Sequence, residues 1–181
     1  MNTEEKIVSL LKEKACTKQK IYRITKNIFA NFQDVLQEKA NILNNEVQDQ
    51  DVEVSYEESG DFDAKLKFSG DTLLFHMHSN IFDFDSSHQI HKTSYVKEDK
   101  MRSFCGVINI YNFLSDSLKY NRLNDAGFLT ARIFINKDNH FFVEGDKQLG
   151  FLFNDFVNQQ IDEVQICKII DTAMIYALNF D

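Results

Sequence analysis

Along residues 3–44 the apolar positions recur at helical spacing. Ile7, Val8, Leu10 and Leu11 form a short first stripe. Thr3 is its predicted N-cap, and Glu4 and Glu5 suit the positive end of a helix. A second, longer helix is predicted from about Lys18, with the stripe Ile21, Ile24, Ile28, Phe32, Val35, Leu36 and Leu43. Its steps of three, four and seven fit a helical period, and Asn44-Asn45 is the predicted stop. Beyond it the period falls to two. Val52, Val54 and Tyr56, then Phe62, Ala64, Leu66 and Phe68, then Leu73, Phe75 and Met77 alternate with polar residues. Ser59-Gly60 and Ser69-Gly70-Asp71 supply turns between them. Three strands joined by short Gly-containing turns predict an antiparallel meander with one buried face.

The alternation loses phase near Asn80-Ile81, and residues 85–103 show no clean period. Within them, Ile90 to Val96 suggests an edge strand. Over 104–121 apolar residues fall at 107, 110, 111, 114 and 118, and polar ones at 109, 112, 115, 116 and 119. That spacing predicts a helix with Ser103 as N-cap, although the β-branched residues disfavour it. Phe128 to Ile135 and His140 to Glu144, joined through Asn136-Lys137-Asp138-Asn139, read as a hairpin. Leu149 to Val157 is apolar and reads as helical. Asp162 with Gln165 resembles a capping box, and Val164, Cys167, Ile170, Met174 and Leu178 mark a C-terminal helix. No linker or internal repeat divides the 181 residues. The expected architecture is one α+β domain spanning 1–181. An antiparallel sheet of about five strands, the meander plus the hairpin, packs against helices in the order α-α-β-β-β-α-β-β-α.

Composition changes this picture little. The chain has 17 Phe, no Trp and no Pro, so turns fall to Gly, Asn, Asp and Ser and Phe supplies much of the core. Cys16, Cys105 and Cys167 are few, odd in number and widely spaced. They predict reduced thiols, and with no apolar run behind the acidic, polar N-terminus, a cytoplasmic protein with no membrane segment. The net charge of −8 is uneven: residues 1–30 carry +4, residues 31–63 carry −9 and residues 148–181 carry −4. This balance argues against nucleic acid as a partner of the whole surface. The exception is a basic row on the first helices, where Lys12, Lys20, Arg23 and Lys26 fall on one side as a candidate anion-binding face.

Ile108-Asn109-Ile110-Tyr111-Asn112-Phe113-Leu114 as a middle helix, followed by the hairpin Phe128 to Gly145, gives an element order that resembles the YbjN and type III secretion chaperone-like proteins over about residues 18–179. The chain also looks like a member of an uncharacterised bacterial family. The first resemblance implies a small, often dimeric protein-binding module rather than an enzyme.

The sharpest chemical signal is histidine clustering. His76 and His78 stand two apart on a predicted strand, and His88 and His91 three apart in the segment that follows, with Asp83 and Asp85 between the pairs. Imidazole and carboxylate suit Zn²⁺ or another first-row divalent metal, and three such ligands with water make a hydrolytic site. The simpler reading leaves His76 and His78 on the solvated side of a strand whose inward residues are Leu73, Phe75 and Met77. Phosphate loops and a G-x-S-x-G elbow are absent, and no cofactor is expected on the main reading. The expectation is therefore a protein–protein interaction or chaperone-like module, with a homodimer as one form. A metal-dependent hydrolase built on His76, His78, His88 and His91 is the alternative.

Overall fold

The computed structural model describes residues 2–122 and 125–180. A long helical run opens the chain: α1 (Thr3–Leu10), a π-helical turn (Leu11–Ala15) and α2 (Cys16–Val47). The N-cap is Asn2, not Thr3. Asn2 Oδ1 accepts from the Glu5 amide and Glu5 Oε2 accepts from the Asn2 amide, both at 2.8 Å, which closes a capping box. The expected break before Lys18 is also corrected. A π-turn absorbs one extra residue without interrupting the helix, and so turns α1 by about 100° relative to α2. The helix runs past Asn44-Asn45 and ends at Gln48, which adopts the left-handed conformation.

Six strands follow in a single antiparallel sheet of order β1-β2-β3-β4-β5-β6. They are β1 (Val54–Glu58), β2 (Asp63–Phe68), β3 (Asp71–Met77), β4 (Cys105–Leu114), β5 (Phe128–Asn136) and β6 (Phe141–Gly145). The short helices are α3 (Ser94–Glu98), α4 (Ser115–Lys119) and α5 (Gln148–Leu152), and α6 (Glu163–Leu178) closes the fold. The α+β class and the buried faces of β1 to β3 stand as the alternation predicts. Between β2 and β3 the left-handed position is taken by Ser69, at φ 55°, not by Gly70.

The sixth strand replaces the helix expected over 104–121. Residues 105–110 are buried on both faces of the sheet. A strand covered on both sides reads as a continuous apolar run, so its period cannot be recovered from sequence. Asn109 and Asn112, whose spacing mimics a helix, lie on opposite faces: Asn109 opposite His76, and Asn112 opposite Leu73. Only Ser115–Lys119 is helical, and Ser103 caps nothing there; its hydroxyl, on a buried side chain, donates to Asp83 Oδ1 at 2.7 Å.

On the inner face, α2 and α6 pack on the sheet around Phe32, Leu36, Phe75, Ile108, Ile133 and Phe141. The edge of β6 is closed by the chain beyond α5, where the Val143 amide donates to Phe153 O at 2.7 Å and Phe141 to Gln159 O at 3.2 Å. On the outer face a second cluster gathers Cys105, Val107 and Phe134 from the sheet under Ile90, Val96 and Phe156. Ile90 to Val96 is not an edge strand. It folds as a 3₁₀ turn (Gln89–Lys92) and α3, with Thr93 Oγ1 accepting from the Val96 amide at 3.3 Å.

α6 corrects the predicted stripe. Its buried residues are Ile166, Ile169, Ile170, Ala173, Met174 and Ala177, while Val164 and Leu178 face solvent. The helix is apolar on several sides, so more than one stripe can be drawn through it. α5 is likewise one short helix rather than a run to Val157.

Candidate functional site

The four clustered histidines are dispersed by the fold. His76 lies on the outer face of β3, paired through Nδ1 with Asp63 Oδ1 of β2 at 2.6 Å. His78 accepts from the Asn80 amide at 3.1 Å and packs edge-on to Phe82. His88 uses its Nδ1 to accept from the Ile90 amide, and its ring stacks on Phe84 at 4.6 Å. His91 donates through Nε2 to Phe84 O at 3.1 Å. Asp85 accepts from the amide and hydroxyl of Ser87, which hold its carboxyl below the usual range, and Asp83 holds Ser103. These residues anchor the 79–103 segment. Among the described residues no three His, Cys, Asp or Glu side chains are gathered so as to hold a metal ion. Spacing brings ligand types close in sequence, but one ring nitrogen of each histidine is bound to a carboxylate or main-chain group instead.

The basic row is similarly divided. Lys12 lies in the π-turn, which takes it out of line with Lys20 and Arg23 on α2. Lys26 bonds Asp61 at 3.3 Å and lies over the Phe62 ring.

A polar network fastens the 85–103 segment to the sheet. Asn136, fully buried, donates from Nδ2 to Tyr95 Oη at 3.0 Å and to Arg102 O at 3.2 Å. Its Oδ1 accepts from the amides of Asp138 at 2.9 Å and His140 at 3.1 Å. Asp138 takes the Tyr95 hydroxyl and Arg102 Nε, and the Arg102 guanidinium lies 4.2 Å from the Tyr95 ring centroid. Burial pushes the Tyr95 phenol up to about 12, aided by Asp138. A hydrogen bond from Lys137 holds Asp99 below the usual carboxylate range. The Asn136 Nδ2 group thus pins the cover while its Oδ1 holds the 136–140 turn, which makes the network structural.

The described surface carries several concavities, two of them beside the short helices α4 and α5. A cleft of about 670 Å³ lies between the outer face of β1 to β3 and α4. Lys65, Lys67, Lys119 and Arg122 line it, but Glu57 and Asp116 line it too, Glu57 bonds Lys65 at 3.0 Å, and Arg122 reaches Asp125. Its charge is therefore largely balanced internally. The second is a groove of about 320 Å³ between α5 and α6, lined by Leu149, Leu152, Thr172, Ile175, Tyr176 and Asn179, with Lys147 and Gln148 at one wall. In its wall Leu152 is 48 % exposed and Ile175 62 %, and Phe151 at 70 % and Leu178 at 59 % are exposed elsewhere on the same two helices.

The groove has a built wall. Lys147 sits at φ 47°, ψ −118°, a conformation costly for any residue with a Cβ. That turn swings α5 onto the end of β6, where a Cβ at Gly150 would collide with the Gly145 carbonyl oxygen. Lys147 Nζ lies 5.6 Å from the Tyr176 ring centroid, and Tyr176 donates its hydroxyl to Asp146 at 3.0 Å. The sequence reading missed this site. Its one signal was the surplus of apolar residues on α6, where the stripe through Val164 and Leu178 competes with the buried one.

Cys105 offers no nucleophile. It is fully buried, and desolvation with the nearby Asp83 charge pushes its thiol well above the ordinary value. Cys16 is exposed. With a soluble aromatic disulfide at pH 8, Cys16 is expected to react as a free thiol. Cys105 is expected to react on the order of a hundredfold more slowly, at the rate of structural opening. Cys16→Ser should remove one equivalent of fast labelling and leave the half-buried Cys167 to react at its own rate; rapid labelling of Cys105 in the folded protein would contradict this packing.

Among the described residues no helix is long and apolar enough to cross a membrane. No family model, no curated protein and no solved structure matches the chain.

Proposed function

We propose that the protein is a protein-binding module, chaperone-like in character, that takes an amphipathic helical segment of a protein partner into the groove between α5 and α6. The observation that carries this reading is the groove itself: a preformed, mainly apolar trough about 320 Å³ in volume, in whose wall Leu152 and Ile175 stand exposed to solvent. Exposed apolar residues that are contiguous, rather than scattered singly, mark interaction surfaces. Thr172, Ile175 and Tyr176 lie on one side of α6, and Asn179, its C-cap, follows three positions on. That side offers a ridge against which apolar residues at i, i+3 and i+4 of a partner helix can pack. Lys147 at the wall favours a partner with a carboxylate beside its apolar anchors.

Selection of a displayed peptide library on the folded protein tests this. Amphipathic helical sequences should be enriched, and their affinity should fall about a hundredfold on Leu152→Glu/Ile175→Glu, as for loss of two anchor contacts. Both side chains are exposed, so the variant should keep the wild-type melting temperature. No enriched sequence, or enriched sequences that bind the variant equally well, would overturn the reading.

A further inference from the structure

Lys147, at the turn between β6 and α5, holds φ 47° and ψ −118°. Gln48 also has a positive φ, but its ψ of 36° keeps it in the small left-handed region open to L-residues. Lys147 lies outside that region, where glycine alone is at ease. The turn itself is required, because α5 folds back so tightly on β6 that a Cβ at Gly150 would meet the Gly145 carbonyl oxygen. A glycine would make the same turn without strain, yet the position carries a long cation. The fold gains little from that side chain. Lys147 is exposed, and its contact with the Tyr176 face, 5.6 Å from Nζ to the ring centroid, is of the weak, solvated kind. Its neighbour Asp146 takes the Tyr176 hydroxyl at 3.0 Å. The ammonium group thus stands over an aromatic ring, at the wall of the groove between α5 and α6.

Strain held at a residue whose side chain does little for the fold points to a function for that side chain. We propose that Lys147 is the selectivity residue of the groove, its strained backbone retained so that its ammonium group reads a carboxylate on the bound helix. This rests on the groove being the docking site. Ile175 precedes Tyr176 on α6, and both line the groove with Lys147. The carboxylate therefore belongs within one helical turn, three or four positions, of the partner residue that packs on Ile175. A basic residue at that place would meet like charge, so Lys147 also rejects amphipathic helices of the wrong sign, which the apolar trough by itself would accept.

Thermal unfolding and peptide binding test it together. Lys147→Gly should melt about 2–5 °C above Lys147→Ala, because alanine keeps the Cβ that this conformation disfavours. Helical peptides enriched on the folded protein are then resynthesised with each acidic residue changed singly to glutamine. One such change should weaken binding about tenfold at low salt and less at high salt. On Lys147→Met the same change should cost nothing, and Lys147→Glu should prefer that peptide with lysine at the position. Lys147→Gly melting at or below Lys147→Ala would overturn the proposal. So would peptides that need Leu152 and Ile175 but lose nothing with any carboxylate, or lose as much on Lys147→Met; these results leave the groove reading standing. Failure to enrich any peptide that depends on Leu152 and Ile175 would overturn both.

Discussion

Asn136→Ala is expected to destabilise the protein by about 3 kcal/mol and to free the segment over the outer face of the sheet. The amide is fully buried and makes four hydrogen bonds. Removing it leaves the Arg102 carbonyl and the Asp138 and His140 amides without their partner. Each such buried group costs on the order of 1 kcal/mol or more. The Tyr95 hydroxyl keeps Asp138 as acceptor and adds little. For a chain of this size the loss corresponds to a fall in melting temperature of roughly 6–12 °C. The effect should also be local. Amides of Met101 and Arg102, bonded within the 99–103 turn, should exchange faster than those of β2 and β3. Limited proteolysis should nick the chain between 85 and 103. A variant within about 0.5 kcal/mol of wild type, the range of neutral surface changes, would show that the network does not hold the cover in place.

Gly106→Ala is expected to cost at least as much, by a different route. Gly106 lies on β4 where α2 crosses the inner face. A Cβ there would overlap Thr25 Oγ1 and stand 2.9 Å from Thr25 Cβ and Cγ2. Thr25 is itself fully buried, and its hydroxyl donates to Ile21 O at 2.8 Å, so it has no free rotamer to retreat into. Helix and strand must separate. Overpacking a tight core costs about 1–3 kcal/mol and occasionally more, and this contact belongs at the upper end. Thr25→Ala removes the two atoms in front of Gly106, so the double variant should recover part of the loss, with a coupling of about 1 kcal/mol or more by double-mutant cycle. Strictly additive effects would mean that α2 does not approach β4 this closely.

These two residues also show where a sequence reading stops. Gly106 sits in an apolar run and Asn136 in an Asn-Lys-Asp-Asn turn, and each has an adequate local explanation. Their tertiary partners, Thr25 at a separation of 81 positions and Arg102 at 34, have no signature in a pattern of nearby residues. The histidines make the same point in reverse. Their spacing invites a metal, yet one ring nitrogen of each of His78, His88 and His91 is taken by a main-chain group within seven residues.

The sequence by itself determined the α+β class, the long basic-to-acidic helix, the first three strands with their inward residues, and the 128–144 hairpin. The helix and the first three strands have one covered side, so burial writes its own period into the chain, and the hairpin is marked by its Asn-Lys-Asp-Asn turn between two β-prone runs. Only the tertiary structure decided that 105–114 is a strand, that residues 90–98 cover it as helical turns, and that Val164 and Leu178 of α6 face outward. β4 and α6 are apolar on more than one side, and 90–98 is too short and mixed in character to show a period. A side chain's burial there depends on what the rest of the chain lays across it, and periodicity records only contrast between faces, which such elements lack.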